Sequence, residues 1–140
     1  MIENLTNDQI DHVLALQLVG RIGCSTGKKT YVVPIVYAYD GKYIYAHSKE
    51  GQKINIMRKN PAVCFQVDAI ENLGNWRSVV IQGRYEELTV RSQQEKAIKL
   101  LNDRFAPLKT SNAARPSYER VPGSGKIEKP LRAIIYRIAI

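Results

Sequence analysis

The feature that most constrains the fold is an Asp-Gly pair, Asp40-Gly41, between two runs that are typical of β-strands. The runs are Thr30–Tyr39 and Lys42–Ser48, and both are rich in tyrosine and β-branched residues. Such side chains favour strands. An Asp-Gly pair between two strands favours a two-residue type I′ turn, in which both central residues take a positive φ. The sequence therefore predicts that the two runs pair with each other as a β-hairpin.

Further strands and three helices are predicted on either side of this hairpin. The spacing of Thr6 and Gln9 is typical of a capping box that opens a first helix. Pro61 cannot continue a helix, so a second helix is predicted over Gly51–Lys59. The other predicted elements are strands at Leu18–Cys24, Ala62–Asp68, Trp76–Leu88 and Leu131–Ile140, a helix at Arg91–Phe105, and a bend or bulge at Gly83. Mostly antiparallel strands with local connections and inserted helices predict one α+β domain, mainly β, that forms a small barrel.

The run Thr30–Tyr39 carries apolar side chains on both of its faces, which predicts that both faces are covered. One face has Val33, Ile35 and Tyr37, and the other has Val32, Val36 and Ala38. In a chain of 140 residues the second cover is expected to be another subunit, which predicts a homodimer. Pro34 cannot donate a ladder hydrogen bond, so it is expected at a sheet edge or bulge. An interrupted edge leaves backbone groups available to a flat ligand.

Composition narrows the class of partner and the cellular setting. The net charge of +8 favours anionic partners, but the basic residues are spread along the chain rather than clustered. The longest nearly apolar run, Tyr31 to Ala38, is too short to span a bilayer, and no secretory signal is recognisable. Cys24 and Cys64 lie in apolar runs and are expected to be buried free thiols, which predicts a cytoplasmic protein. No Cys/His cluster has the spacing of zinc ligands, so no metal site is predicted.

The ordered set of motifs between Gly20 and Gly83 resembles the FMN-binding split-barrel family. That family includes pyridoxamine 5′-phosphate oxidase and, closer in pattern, the nitroimidazole-resistance (Nim) type flavoproteins. The segments that carry the resemblance are Gly20–Cys24, Tyr31–Tyr37, Tyr43–Ser48, Gly51–Lys53, Asn60–Phe65 and Trp76–Gly83. The resemblance implies that residues 1–140 form a single split β-barrel domain with flanking helices, which holds FMN at a dimer interface.

The resemblance also implies where the FMN phosphate lies, at the end of the third strand and the start of the following helix. The matching residues are His47, Ser48, Gln52 and Lys53. A hydroxyl, the N–H groups of a helix start and a lysine ammonium together form an anion site, whatever the family. The alternative interpretation is that Ser48 caps the helix and Lys53 is a solvated surface lysine.

The flavin ring is implied to lie along the second strand, where backbone amides would address its polar edge. The matching residues there are Val33, Pro34, Ile35 and Val36. On a later strand, Arg77 and Ser78 fall where the pyridoxamine phosphate oxidases have Arg-Gln, so a shorter side chain replaces the glutamine. His47 is the candidate catalytic residue, as a proton donor or an electrophile that faces the substrate. The alternative for His47 is a hydrogen-bonded structural role.

The leading function hypothesis is an FMN-dependent oxidoreductase that uses NAD(P)H or another reductant to reduce a small organic acceptor, such as a nitro compound. The resemblance implies that pyridoxamine phosphate oxidases carry their substrate-phosphate residues in a C-terminal extension, whereas this chain ends just after its last predicted strand. Pyridoxamine phosphate oxidase activity itself is therefore not expected. The segment Ala106–Pro130 holds four of the six prolines and is expected to cover the cofactor pocket as a mobile loop. One alternative to the oxidoreductase hypothesis is a carrier of flavin or heme without turnover. The other is a basic small-barrel nucleic-acid binder, which is disfavoured because the tyrosines of the predicted hairpin lack interleaved basic residues.

Overall fold

The computed structural model describes residues 2–106 and 133–140, so the expected loop over Ala106–Pro130 lies outside the described residues except for Ala106. Within these ranges the chain forms seven strands and three helices. In chain order the elements are α1 (Asn7–Leu16), β1 (Val19–Thr26), β2 (Lys29–Val36), β3 (Ala38–Tyr39), β4 (Tyr43–Lys49), α2 (Gln52–Lys59), β5 (Ala62–Asn72), β6 (Asn75–Glu87), α3 (Arg91–Phe105) and β7 (Ala133–Ala139).

Helix boundaries follow the local signals of the sequence. The Thr6 hydroxyl accepts a hydrogen bond from the Gln9 N–H at 3.2 Å, and the Gln9 side-chain carbonyl accepts one from the Thr6 N–H at 2.9 Å. The predicted capping box is therefore confirmed, and it satisfies two N–H groups at the start of α1. α2 ends at the C-cap Asn60, directly before Pro61, as predicted. α3 spans Arg91–Phe105, the predicted range.

All described strands belong to one antiparallel sheet with the order β2-β1-β5-β6-β7-β4-β3. β2 and β3 stand at opposite ends of this order, although only Tyr37 separates them in the chain. The sheet must therefore curl until its two ends meet, as in a barrel. Closure is incomplete, because β3 pairs with β4 through only two residues and β2 does not pair with β4. The gap between β2 and β4, called the split below, confirms the predicted α+β split barrel.

The predicted hairpin between Thr30–Tyr39 and Lys42–Ser48 is wrong over most of its length. β2 pairs with β1 instead, from Thr26↔Lys29 to Val19↔Val36, and this ladder runs through all eight residues of each strand. Only the two residues of β3 pair across the Asp-Gly turn. The Asp-Gly signal predicts only the turn. How far the strands pair beyond it depends on competition between β4 and β1 for the run Thr30–Tyr39, and β1 offers more hydrogen bonds.

The Asp-Gly turn itself differs from the predicted type I′ geometry. Gly41 has a φ of +93°, but no described residue other than glycine has a positive φ, so Asp40 cannot be a type I′ central residue. The Asp40 carboxylate instead accepts hydrogen bonds from the N–H groups of Lys42 and Tyr43, at 2.8 and 2.7 Å. An aspartate at this position therefore stabilises the turn through its side chain.

Pro34 and Gly83 are the two strand residues at which the sequence predicts an irregularity: an edge or bulge at Pro34, and a bend or bulge at Gly83. Pro34 is on β2, an edge strand of the described sheet, as predicted. Gly83 shows no register shift, so the predicted bulge is wrong; the shift in this hairpin falls between Ile70 and Asn72. A Cβ atom at Gly83 would lie 2.5 Å from Cγ2 of Ile138, so glycine is needed for the close approach of β7.

The described core has two parts. The main cluster fills the barrel and includes Val13 and Leu14 of α1, which lie against the sheet. A smaller cluster of Tyr45, Leu88, Ala97 and Ile135 lies between α3 and the sheet. The outer face of β2 is not covered within the described chain, since Val32 and Val36 remain 61% and 42% exposed. None of the helices in the described ranges is long and apolar enough to cross a bilayer.

Candidate functional site

The split is bounded by two strand edges whose backbone groups are not used by the sheet. β2 pairs with β1 on one side and with no described strand on the other. β4 pairs with β7 along its whole length, but β3 covers its second edge only at Ile44 and Tyr45. Beyond Tyr45, no described strand pairs with this edge of β4, and the edge therefore borders the split. Unpaired N–H and C=O groups at such edges are available to a ligand.

Pro34 indicates which backbone groups of β2 point into the split. Proline is tolerated on an edge strand where its nitrogen faces away from the ladder. The nitrogen and carbonyl of Pro34 then face the split, and so do those of Val32 and Val36, two residues away on either side. Of the predicted ring-binding residues, Val33 and Ile35 point their backbone groups towards β1 and their side chains towards the core. Val32, which the sequence analysis did not select, offers an N–H group to the split.

α2 begins directly after β4 and has an open N-terminus. Gly51 is the N-cap and makes no side-chain cap hydrogen bond, and the first turn contains no acidic residue. Ser48 is not a cap, because its hydroxyl donates a hydrogen bond to the Lys49 carbonyl at 3.0 Å. The interpretation of Ser48 as a helix cap is therefore excluded. The first N–H groups of a helix lack intrahelical partners, so they favour an anion at this place.

Lys53, in the first turn of α2, is a half-buried cation. Burial lowers the pKa of its ammonium group, and the nearby Cys24 opposes that effect. Among the described residues no carboxylate forms an ion pair with Lys53. Removing a charge from water is costly unless the charge is paired, so an anionic ligand would offset that cost. Lys53 therefore does not fit the interpretation of a solvated surface lysine.

Two further polar groups lie in the barrel near Lys53. Cys24 is only 3% exposed; burial raises the pKa of its thiol, and Lys53 acts in the opposite direction. The hydroxyl of Tyr136 is buried without a hydrogen-bond partner in the described part of the chain. Burial, with a smaller effect from Cys24, raises the pKa of Tyr136. Tyr136 is not among the residues predicted from the sequence, because no local pattern shows that β7 lies beside β4.

His47 and Ser48 lie on opposite faces of β4. The cross-strand neighbour of His47 is Ile135, which belongs to the cluster beneath α3. The neighbour of Ser48 is Ile134, which packs against the main core. The structure thus places Ser48 on the barrel side of the strand and does not bring the His47 side chain to it. Both side chains are half-buried.

Arg77 and Ser78 lie on β6 and do not join the split within one chain. Ser78 is exposed and pairs with Asp68 of β5, and its hydroxyl accepts a hydrogen bond from the Gln66 side chain at 3.0 Å. In the sheet order β6 is the third strand from β2. At the usual spacing of neighbouring strands this corresponds to about 14 Å. The predicted cofactor residues therefore form two separate groups, one at the split and one on β6.

Among the grooves that border these groups are a larger and a smaller one. The larger, of about 860 Å³, lies between the N-terminal residues from Ile2 to Leu5 and β6 from Trp76 to Val80, away from the split. The smaller, of about 340 Å³, lies between α2 and the turn that joins β1 to β2, and we call it the hairpin groove. Its lining residues are Thr26, Lys29, Gly51, Gln52, Asn55, Ile56 and Lys59. Gln52, one of the predicted phosphate-site residues, therefore faces this groove.

Comparison with known proteins gives consistent matches over most of the chain. A family model described as pyridoxamine 5′-phosphate oxidase matches residues 6–132. The uncharacterized protein RA0666 of Rhizobium meliloti is 38% identical over 84 residues, which are 60% of this chain and 56% of that protein. The chain thus aligns with little more than half of that relative's length.

Two solved structures share the fold. A FAD-binding protein from Mesorhizobium loti is 31% identical with a TM-score of 0.70, and the match covers 97% of this chain and 88% of that one. A candidate 5-nitroimidazole antibiotic resistance protein from Bacteroides thetaiotaomicron has a TM-score of 0.70 at 17% identity, covering 99% and 81%. At that identity the second likeness concerns the fold alone.

Proposed function

We propose, from the premise that the chain belongs to the pyridoxamine 5′-phosphate oxidase family, that it is a flavin-dependent oxidoreductase that binds FMN in the split. The observation that carries the proposal is Lys53, a half-buried cation at an open helix start without a described carboxylate partner. A cytoplasmic setting is part of the proposal, in keeping with the free thiols of Cys24 and Cys64.

The residues around the split fit both ends of FMN. The phosphate carries close to two negative charges near neutral pH, and Lys53, the first N–H groups of α2 and the Ser48 hydroxyl supply charge and donors for it. The unpaired edge of β2 supplies backbone groups for the polar edge of the ring. When bound, the flavin takes two electrons from a reductant and passes them to an acceptor, while the protein binds and orients the reactants.

A homodimer would complete the site. The outer face near β2 exposes Val19, Val32 and Val36, and Val19 lies directly opposite Val36 in the ladder. Val80 of β6 is also 59% exposed, but Gln66 and Arg21 lie between it and β2, so the apolar face is that of Val19, Val32 and Val36. A second copy seated on it would hide apolar surface that monomers rarely leave contiguous. It could also bring its own Ser78, with Arg77, towards a flavin bound at the split of the first copy.

The proposed reaction is the reduction of a small organic acceptor, such as a nitro compound, with NAD(P)H as the donor. His47 is the proposed proton donor, because an imidazole can act as a general acid and as a general base. Its face of β4 is opposite to that of Ser48, so it would act on the acceptor and not on the cofactor phosphate. Cys24 and Tyr136 are poorer donors of a proton that must be returned during turnover, because burial raises the pKa of both.

A carrier of flavin or heme without turnover is the second candidate. It is favoured by the same observation on Cys24 and Tyr136, since burial raises the pKa of both groups and so disfavours proton transfer from them near neutral pH. Both candidates require the chain to bind its cofactor in the split, and they differ only in whether the bound group is turned over.

The absorbance spectrum of the purified protein, before and after reconstitution with FMN, tests these functions. A flavin spectrum that bleaches with NAD(P)H and recovers with a nitro acceptor supports the oxidoreductase. Flavin or heme bands without bleaching support the carrier, and a protein that retains neither group overturns both. Light scattering of wild type and of Val36→Asp tests the dimer: we expect the charged variant to dissociate and to release flavin, whereas a monomeric wild type with flavin bound contradicts the shared site.

A further inference from the structure

We propose that the hairpin groove extends the flavin site beyond the FMN phosphate and binds the adenylate half of a flavin dinucleotide. The protein would then bind FAD more tightly than FMN. This inference rests on the proposed function, because it takes the Lys53 end of α2 as the phosphate end of the flavin site.

The hairpin groove adjoins the start of α2, although Lys53 itself is not among its lining residues. Gly51 and Gln52, which start α2, belong to its lining and immediately precede Lys53. On the opposite wall, Thr26 lies two residues beyond Cys24 on β1, and Cys24 is close enough to Lys53 for each to affect the pKa of the other. A ligand whose phosphate contacts Lys53 can therefore continue along β1 into the groove. FMN ends at its phosphate and would not reach it.

The helix wall of the groove has the groups that an adenine ring needs. Asn55, Ile56 and Lys59 follow Gln52 at spacings of three, four and seven residues, which places them on one face of α2. Ile56 is only 4% exposed and provides an apolar floor. The side-chain amides of Gln52 and Asn55 are exposed above it. Asparagine and glutamine amides match the N6 donor and N7 acceptor of adenine.

The charge of the groove suits a second phosphate. Lys29 and Lys59 line it, and none of its described lining residues carries a carboxylate. Neither lysine forms an ion pair within the described residues. Arg58, beside Lys59 in the sequence, is by contrast paired with two glutamates. The groove volume of about 340 Å³ falls in the range of small-molecule sites.

Fluorescence titration of the flavin-free protein with FAD, FMN and riboflavin tests the proposal. We expect FAD to bind about tenfold more tightly than FMN, because an adenine contact through a side-chain amide contributes a factor of this order. Asn55→Ala should weaken FAD binding about fivefold or more, and Lys59→Ala about two- to fivefold, with FMN binding unchanged. Lys28→Ala is the matched control. It removes one lysine charge beside Lys29 but outside the groove, so it should leave both affinities unchanged.

Each contrary outcome has a separate meaning. Equal affinities of wild type for FAD and FMN, or equal losses of both in Asn55→Ala, overturn the dinucleotide proposal and leave the flavin function standing. A loss of NADPH binding in Lys59→Ala without a loss of FAD would assign the groove to the reductant and also overturn it. If wild type binds none of the three flavins, the proposed function itself fails. Thermal unfolding of each variant shows whether the fold is retained, as expected for exposed positions.

Discussion

The two sides of α2 use positive charge in opposite ways. Arg58 donates hydrogen bonds to Glu87 at 2.8 Å and to both carboxylate oxygens of Glu50 at 2.9 Å, and so fastens the helix to β6 and to the preceding turn. Lys53, five residues earlier, is half-buried and has no described carboxylate partner. A cation whose donors are already used serves the fold, whereas a desolvated cation without a partner is suited to a ligand. Four predictions, in decreasing order of expected effect, test that contrast.

The largest effect is expected for Lys53→Ala. A charge-assisted contact to the FMN phosphate contributes roughly 1.5–3 kcal/mol, so the variant should bind FMN about 10- to 150-fold more weakly. Riboflavin, which lacks the phosphate, should bind poorly to wild type and respond little to the substitution. Fluorescence titration measures both, with Lys28→Ala as the charge-matched control. Equal losses for FMN and riboflavin would mean that Lys53 supports the fold instead of binding the phosphate.

A smaller effect of the same kind is expected for Ser48→Ala. Its hydroxyl is neutral, and a neutral hydrogen bond contributes about 1 kcal/mol, so FMN binding should weaken about fivefold. To donate to the phosphate, the Ser48 hydroxyl must give up its hydrogen bond to the Lys49 carbonyl, so about fivefold is the upper limit of the expected loss. The same titration applies, and a loss larger than that of Lys53→Ala would contradict the order of the two contributions.

Arg58→Ala should act on stability and leave the intrinsic affinity for FMN unchanged. Removing Arg58 leaves Glu50 and Glu87 without their partner and loosens the attachment of α2. Its pairs are partly exposed, and exposed ion pairs contribute little, so a decrease of a few degrees in the melting temperature is expected. Calorimetry combined with titration separates the two effects. If Arg58→Ala melts like wild type but binds FMN more weakly, Arg58 serves the ligand and not the fold, and the contrast between Arg58 and Lys53 is wrong.

The smallest effect concerns the pH dependence of unfolding. The hydrogen bond from Arg58 lowers the pKa of Glu87; burial opposes this and Tyr85 adds to it. A carboxylate whose pKa is lower in the folded state stabilises the fold at pH values above its unfolded pKa, and that contribution is lost as the pH falls through the folded value. Urea unfolding from pH 7 to pH 3 should thus show a shallower decline for Glu87→Gln than for wild type. Parallel curves would show that Glu87 is not linked to folding.

Sequence reasoning succeeded where the determining contacts are local. The capping box of Thr6 and Gln9, the end of α2 before Pro61 and the edge position of Pro34 each depend on backbone groups within a few residues. The Asp40-Gly41 turn was also found, but only two residues of Thr30–Tyr39 pair across it, because the β1–β2 ladder, which closes around Gly27 with a φ of +49°, takes the rest of the run. A turn signal of two residues contains no information on whether the run before it pairs with β4 or with β1.

The candidate site, too, is predicted correctly only where the contacts that determine it are local in the sequence. Ser48 and Lys53 are joined by a short turn, and their placement at one end of the split follows from chain order. The separation of Arg77 and Ser78 from that end depends on the sheet order, which no local pattern encodes. Tyr136, whose hydroxyl has no hydrogen-bond partner among the described residues, lies beside Ala46 through pairing between β7 and β4, strands far apart in the sequence. Hydrophobic periodicity shows which side of a strand is buried, but not which neighbours it meets there.

Tyr37, the single residue between the two ends of the curled sheet, has a consequence for how such a barrel can change its ligand. Its side chain is fully buried, its hydroxyl donates to the Leu14 carbonyl at 2.8 Å, and its ring meets Phe65 edge-on at 4.9 Å. The two edges of the split diverge from this fixed vertex, so the angle between them is set by core packing rather than by the residues that touch the ligand. Substitutions in the core near Phe65 and Leu14 can therefore alter the aperture for a ring system while every contact residue stays the same.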